Sequence, residues 1–89
     1  MRNPKRIDSF FKKIIPDHIE DVIVKVWGLP EPSKELIDSI IENQEYILKY
    51  WKENPDLRFS QVLVNVGFPN YPGFWYYKEE NEILEELNL

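Results

Sequence analysis

No cysteine occurs among the 89 residues, which excludes disulfides and thiolate metal sites. Histidine occurs once, at His18, and glycine three times. A lone histidine beside Asp17 and Asp21 falls short of the three or four ligands of a stable metal centre. Three scattered glycines do not build a phosphate-cradling loop. Ser9, Ser33, Ser39 and Ser60 have no histidine at a spacing that would activate them. No apolar run approaches the roughly 18 residues of a membrane span. The opening stretch MRNPKRIDSF has no apolar segment of signal-peptide length. These absences set the expectation of a cytoplasmic, non-enzymatic chain with no cofactor, no metal and no membrane anchor.

What is present points to a packed core. Hydrophobic residues make up 43% of the chain and aromatics 15%, which outweighs the disordering tendency of 30% charged residues. The length suits one domain spanning 1–89. The net charge of −5 is unevenly spread. Arg2, Lys5, Arg6, Lys12 and Lys13 make the start basic, whereas Glu79, Glu80, Glu82, Glu85 and Glu86 make the end acidic. An acidic chain is a poor general ligand for nucleic acid, although a basic first helix could touch phosphate.

Prolines divide the chain into segments. Asn3 and Pro4 suit the cap and first position of a helix over residues 4–15. Ile7, Phe10, Phe11, Ile14 and Ile15 give it an apolar stripe at i, i+3, i+4, i+7, i+8. Asp17 with Glu20 reads as the capping pair of a second helix to Trp27, with Gly28 as its left-handed terminator. Its inward residues Ile19, Val22, Ile23 and Val26 are β-branched, so a strand is the rival reading. Residues 33–53 read as one long amphipathic helix with Leu36, Ile37, Ile40, Ile41, Ile47, Leu48 and Trp51 inward. A further helix is expected over 55–66 and a last one over 79–88. The run Phe74-Trp75-Tyr76-Tyr77 is expected to be extended.

Three features could carry function. Glu31, Glu35, Asp38, Glu42 and Glu45 form an acidic stripe, which is either a solvated face or a dock for a basic partner. In the aromatic run, an extended backbone would send Trp75 and Tyr77 away from Phe74 and Tyr76. Phe68, Phe74 and Tyr76 would then close the core, leaving Trp75 and Tyr77 as interface anchors. Stacking of bases is disfavoured because the neighbouring residues are glutamates. Arg58, Gln61 and Asn65 form a polar strip flanked by apolar residues. It is either a buried network, with Arg58 meeting a carboxylate, or a patch for a ligand or partner.

The segment Trp51-Lys52-Glu53-Asn54-Pro55-Asp56-Leu57-Arg58-Phe59-Ser60-Gln61-Val62-Leu63-Val64-Asn65 resembles the signature W-x-x-x-P-D-L-R-F-G-Q-L-L-x-N of a group of small uncharacterised prokaryotic proteins. Arg6-Ile7-Asp8 and the closing aromatic-then-acidic stretch are similar to that group's two ends. Ser60 stands where the group has glycine, and residues from about 16 to 36 read as an insertion. The resemblance implies architecture and emphasis on Arg58, Gln61 and Asn65, but no reaction.

The expected fold is therefore all-α, four or five helices around one core. The expected role is a protein-interaction or regulatory domain that binds a protein partner or itself. Arg58, Gln61, Asn65, Trp75 and Tyr77 are the candidate contact residues. The alternative is a nucleic-acid-binding regulator that uses the basic first helix.

Overall fold

The computed structural model describes residues 2–89, and among them every regular element is helical. Helix α1 (Pro4–Ile14) begins as expected: Asn3 Oδ1 accepts a hydrogen bond from the Lys5 N–H at 2.8 Å, and Pro4 needs no partner for a missing donor. All five residues of its apolar stripe are buried. The Ile15–Pro16 bond is cis.

The second segment is a helix, not a strand, but it starts late. The chain is still turning out of α1 at His18, whose N–H donates to Ile14 O at 2.8 Å. The expected Asp17–Glu20 cap therefore does not form. Helix α2 (Ile19–Asp21) is a single turn that widens into a π-turn, Val22–Val26. There the Trp27 N–H reaches Val22 O at 2.9 Å, five residues back, and Ile23 O accepts from the Leu29 N–H at 3.0 Å. Gly28 makes that closure with φ +68, a left-handed conformation that a Cβ would strain. Ile19, Val22, Ile23, Val26 and Trp27 are all buried.

The single helix expected over 33–53 is two: α3 (Lys34–Glu42) and α4 (Gln44–Glu53). Ser33 Oγ caps α3 by accepting from the Leu36 N–H at 3.1 Å. The break falls at Asn43, with φ −99 and ψ 16. Its side-chain amide donates to Ser39 O at 2.8 Å, the same carbonyl that its backbone N–H uses at 3.0 Å. Side-chain competition of this kind is why asparagine is a weak interior helix residue. The apolar stripe is split with the helix. Ile40, Ile47 and Trp51 are buried, whereas Leu36, Ile37, Ile41 and Leu48 are only half-buried.

Helix α5 (Phe59–Asn65) starts four residues after the expected Pro55. Residues 54–58 form a tight turn, with the Leu57 N–H on Asn54 O at 3.1 Å and the Trp51 indole N–H on Leu57 O at 2.8 Å. Leu57 O is thus committed to a side chain before the helix begins. A 3-10 turn (Phe74–Tyr77) and helix α6 (Glu80–Glu86) complete the chain.

Aromatic rings hold the core together. Trp51 stacks on Phe59 at 5.5 Å, and Phe10 meets both edge-on, at 5.6 Å and 5.3 Å. Trp27 continues the cluster to Trp75 at 5.1 Å and to Phe68 at 6.2 Å. Such pairs add about 0.5–1.5 kcal/mol each beyond the area they bury. Helix α4 lies between α1 and α5, while α3 packs chiefly on α4. No helix among the described residues is long and apolar enough to cross a membrane.

Candidate functional site

The aromatic run at 74–77 is not extended. Gly73, at φ +130 and ψ 178, takes a conformation open to glycine alone and delivers the chain into the 3-10 turn. A 3-10 turn repeats every three residues, so it pairs positions 74 and 77 instead of 75 and 77. Phe74 is 89% exposed and Tyr77 is 61% exposed. Trp75 is 4% exposed, packed on Trp27 and Phe68, and its indole N–H donates to Tyr71 O at 2.8 Å. Two expectations are corrected by this. Trp75 belongs to the core and leaves the candidate surface, while Phe74, expected in the core, takes its place outside. Phe68 is buried and Tyr76 half-buried, as expected of the pair that closes the core.

The turn is tied to α5 from beneath. Ser60 is fully buried, and its hydroxyl donates to Tyr76 O at 2.8 Å. A glycine at that position would have no such bond. Ser60 was not singled out as a site residue, yet it is the polar contact that joins α5 to the 74–77 turn.

Arg58, Gln61 and Asn65 share a helix but not a task. The Gln61 side-chain oxygen accepts from the Arg58 backbone N–H at 2.7 Å and so caps α5. Asn65 Nδ2 donates to the Tyr50 hydroxyl at 3.2 Å, which braces α5 against α4. Arg58 alone reaches the aromatic corner: its guanidinium lies 5.7 Å from the Tyr77 ring centroid, and its Nε donates to Glu79 Oε1 at 2.7 Å. A cation over a tyrosine face at a partly exposed site contributes about 0.5–1 kcal/mol. The carboxylate expected opposite Arg58 is thus Glu79.

Glu79 is held from both sides. Its Oε2 accepts from Arg2 Nη2 at 2.5 Å, and Arg2 also pairs with the buried Glu80 and donates to Pro55 O at 3.1 Å. Arg2 therefore ties the start of the chain to the 54–58 turn and to α6. The charge asymmetry between the two ends was visible in the sequence, and part of it is this internal clamp. Glu82 Oε1 accepts from the Glu79 N–H at 3.3 Å and steadies the backbone there. The resulting corner presents the exposed Tyr77 ring beside a guanidinium and a carboxylate whose positions are set by ion pairs, with the exposed Phe74 one 3-10 repeat away.

The remaining charges lie on separate faces. Lys5, Arg6, Lys12 and Lys13 are exposed on the outer side of α1, while Asp8 pairs with Lys52 at 2.7 Å. Glu31, Glu35, Asp38, Glu42 and Glu45 are all exposed, and among the described residues none lies within ion-pair distance of a cation. His18 Nδ1 stands 3.9 Å from Asp21 Oδ2, a surface pair at one turn's spacing. Among the described residues no group of three histidine, aspartate or glutamate side chains converges as a metal site would. One buried donor, the Trp27 indole N–H, has no hydrogen-bond partner among the described residues; the Trp27 ring packs with those of Phe59, Phe68 and Trp75.

No family model, curated protein or solved structure matches this chain.

Proposed function

We propose that this chain is a non-enzymatic protein-interaction domain, working inside the cell, whose contact surface is the corner formed by Phe74, Tyr77 and Arg58. The observation that carries the reading is Phe74, 89% exposed on a turn whose next residue is anchored in the core. A single exposed apolar side chain needs no explanation. Here, however, the 3-10 repeat puts Phe74 and Tyr77 on one side of the turn and Arg58 lies against Tyr77, and these are residue types that dominate interface energetics. The buried Trp75 and the Ser60–Tyr76 bond hold the turn in place, so little ordering is left to oppose binding. Gln61 and Asn65 support the helix that carries Arg58 and do not themselves meet the corner.

The test compares affinity capture from the native host by the wild-type chain with capture by Phe74→Ser/Tyr77→Ser, quantified by mass spectrometry. A partner enriched by the wild type and lost with the variant, at unchanged melting temperature, is expected. Identical captured sets would remove this surface from the reading. Light scattering of the two chains checks self-association at the same corner.

A second reading draws on the four exposed cations of α1, Lys5, Arg6, Lys12 and Lys13. A nucleic-acid contact there would weaken steeply as salt rises. The net charge of −5 opposes it. Absence of any mobility shift with DNA or RNA at low salt would end this alternative.

A further inference from the structure

A groove of about 330 Å³ opens where the break at Asn43 faces the end of α5. Its lining is mixed: Leu36, Ile40, Ile47, Val66 and Phe68 are apolar, while Ser39, Asn43 and the Tyr46 hydroxyl add polar atoms. Ile40, Ile47 and Phe68 are buried, Leu36 and Val66 are half-buried, and the Tyr46 ring stands at the rim, 61% exposed. The groove exists because α3 is underfilled: Ile40 is the one buried residue of that helix.

Charge decides what such a groove accepts. Glu35, Asp38 and Glu42 each precede a groove-facing position of α3 or the break: Leu36, Ser39 and Asn43. At 100° per residue they form one continuous acidic edge outside the groove, on its Ser39 and Asn43 side. None of the three has a cation within ion-pair distance among the described residues. Like charges three and four residues apart repel each other on the isolated helix, and a cationic partner would relieve that repulsion. A groove with an apolar floor, a polar side and an acidic edge matches an amphipathic helix that carries lysine or arginine beside its apolar stripe.

We infer that the groove between α3, α4 and the end of α5 receives the apolar face of a basic amphipathic helix from a partner protein, with Glu35, Asp38 and Glu42 reading its positive charge. This rests on the interaction-domain reading but uses a surface separate from Phe74 and Tyr77, so the two can fail independently.

The probe is a labelled synthetic Leu/Lys peptide of about fifteen residues, with leucines at i, i+3, i+4 and i+7, and a Leu/Glu counterpart as control. Binding is followed by fluorescence anisotropy and mapped on the isotope-labelled chain by NMR. Saturable binding of the Leu/Lys peptide alone is expected, with shift changes confined to residues 36–47 and 63–68. Glu35→Lys/Asp38→Lys/Glu42→Lys should weaken it by about ten-fold or more. Tyr46→Ala and Leu36→Gln should each weaken it by about three-fold or more, and Phe74→Ser should leave it unchanged. Circular dichroism of each variant establishes that it folds. Equal binding of both peptides overturns the inference. So does binding that responds to the charge reversals but not to Tyr46→Ala or Leu36→Gln, since that is attraction without a groove. A dimer of the chain that Leu36→Gln dissolves would assign the groove to a second copy and overturn it as well.

Discussion

Helices α1 and α3 have comparable apolar stripes and opposite fates. Every stripe residue of α1 is buried, and two of its rings sit in the aromatic cluster with Trp51 and Phe59. Helix α3 buries Ile40 and leaves Leu36, Ile37 and Ile41 half in water. The sequence pattern makes each helix amphipathic, but it does not say whether a neighbour exists to cover the stripe. Helix α1 has α4 and the Phe59 ring of α5 against it, whereas α3 has chiefly α4, from which it is broken at Asn43. An amphipathic helix left partly uncovered is where a small domain has surface to lend to a partner.

The comparison can be broken by truncating the α4 ring that α1 packs on and, separately, a stripe residue of α3. Trp51→Ala removes a fully buried ring, its stack on Phe59 and the bond to Leu57 O, and should cost about 3–5 kcal/mol in urea unfolding. Ile37→Ala on α3 should cost less than about 1 kcal/mol, since the side chain is half in water already. Equal losses would show that α3 is as well packed as α4.

The next test divides neighbours in sequence. Trp75→Ala should lower stability by roughly 3 kcal/mol or more, as large-to-small changes of a buried tryptophan do. Phe74→Ala, one residue earlier, should stay within about 0.5 kcal/mol. A reversal of that order in thermal melts would restore the extended backbone that the sequence suggested.

Smaller effects examine what joins the two halves. Ser60→Ala removes the donor to Tyr76 O and should cost about 1–2 kcal/mol. Ser60→Gly, which installs the residue of the resembling prokaryotic group, should cost up to about 1 kcal/mol more through helix propensity. If Ser60→Gly proves neutral, the 74–77 turn is held by packing alone. Gly28→Ala should cost about 1 kcal/mol. A Cβ there meets nothing within 4 Å, so its φ of +68 is the only source of loss. A loss well beyond that in differential scanning would mean that the π-turn unravels too.

Much of the architecture was readable from residue order because it depends on local chemistry. Helical periodicity identified α1, Asn3 announced its cap, and Gly28 marked a left-handed stop. Each of these is a contact between residues a few positions apart. The polar strip was legible only as a pattern; its partners, Glu79 for Arg58 and Tyr50 for Asn65, lie 21 and 15 residues away.

Composition and spacing alone therefore determined an all-α chain built around a rich aromatic core, with acidic and basic faces. Tertiary structure decided which aromatics face water, where the long helix breaks and what Arg58 pairs with. The reason is one of range. A helix is chosen by bonds between residues four apart, but burial is chosen by whichever element arrives opposite. Trp75 and Phe74 are the plainest instance: adjacent, both aromatic, and separated only by the three-residue repeat of a turn that Gly73 opens and Ser60 ties down.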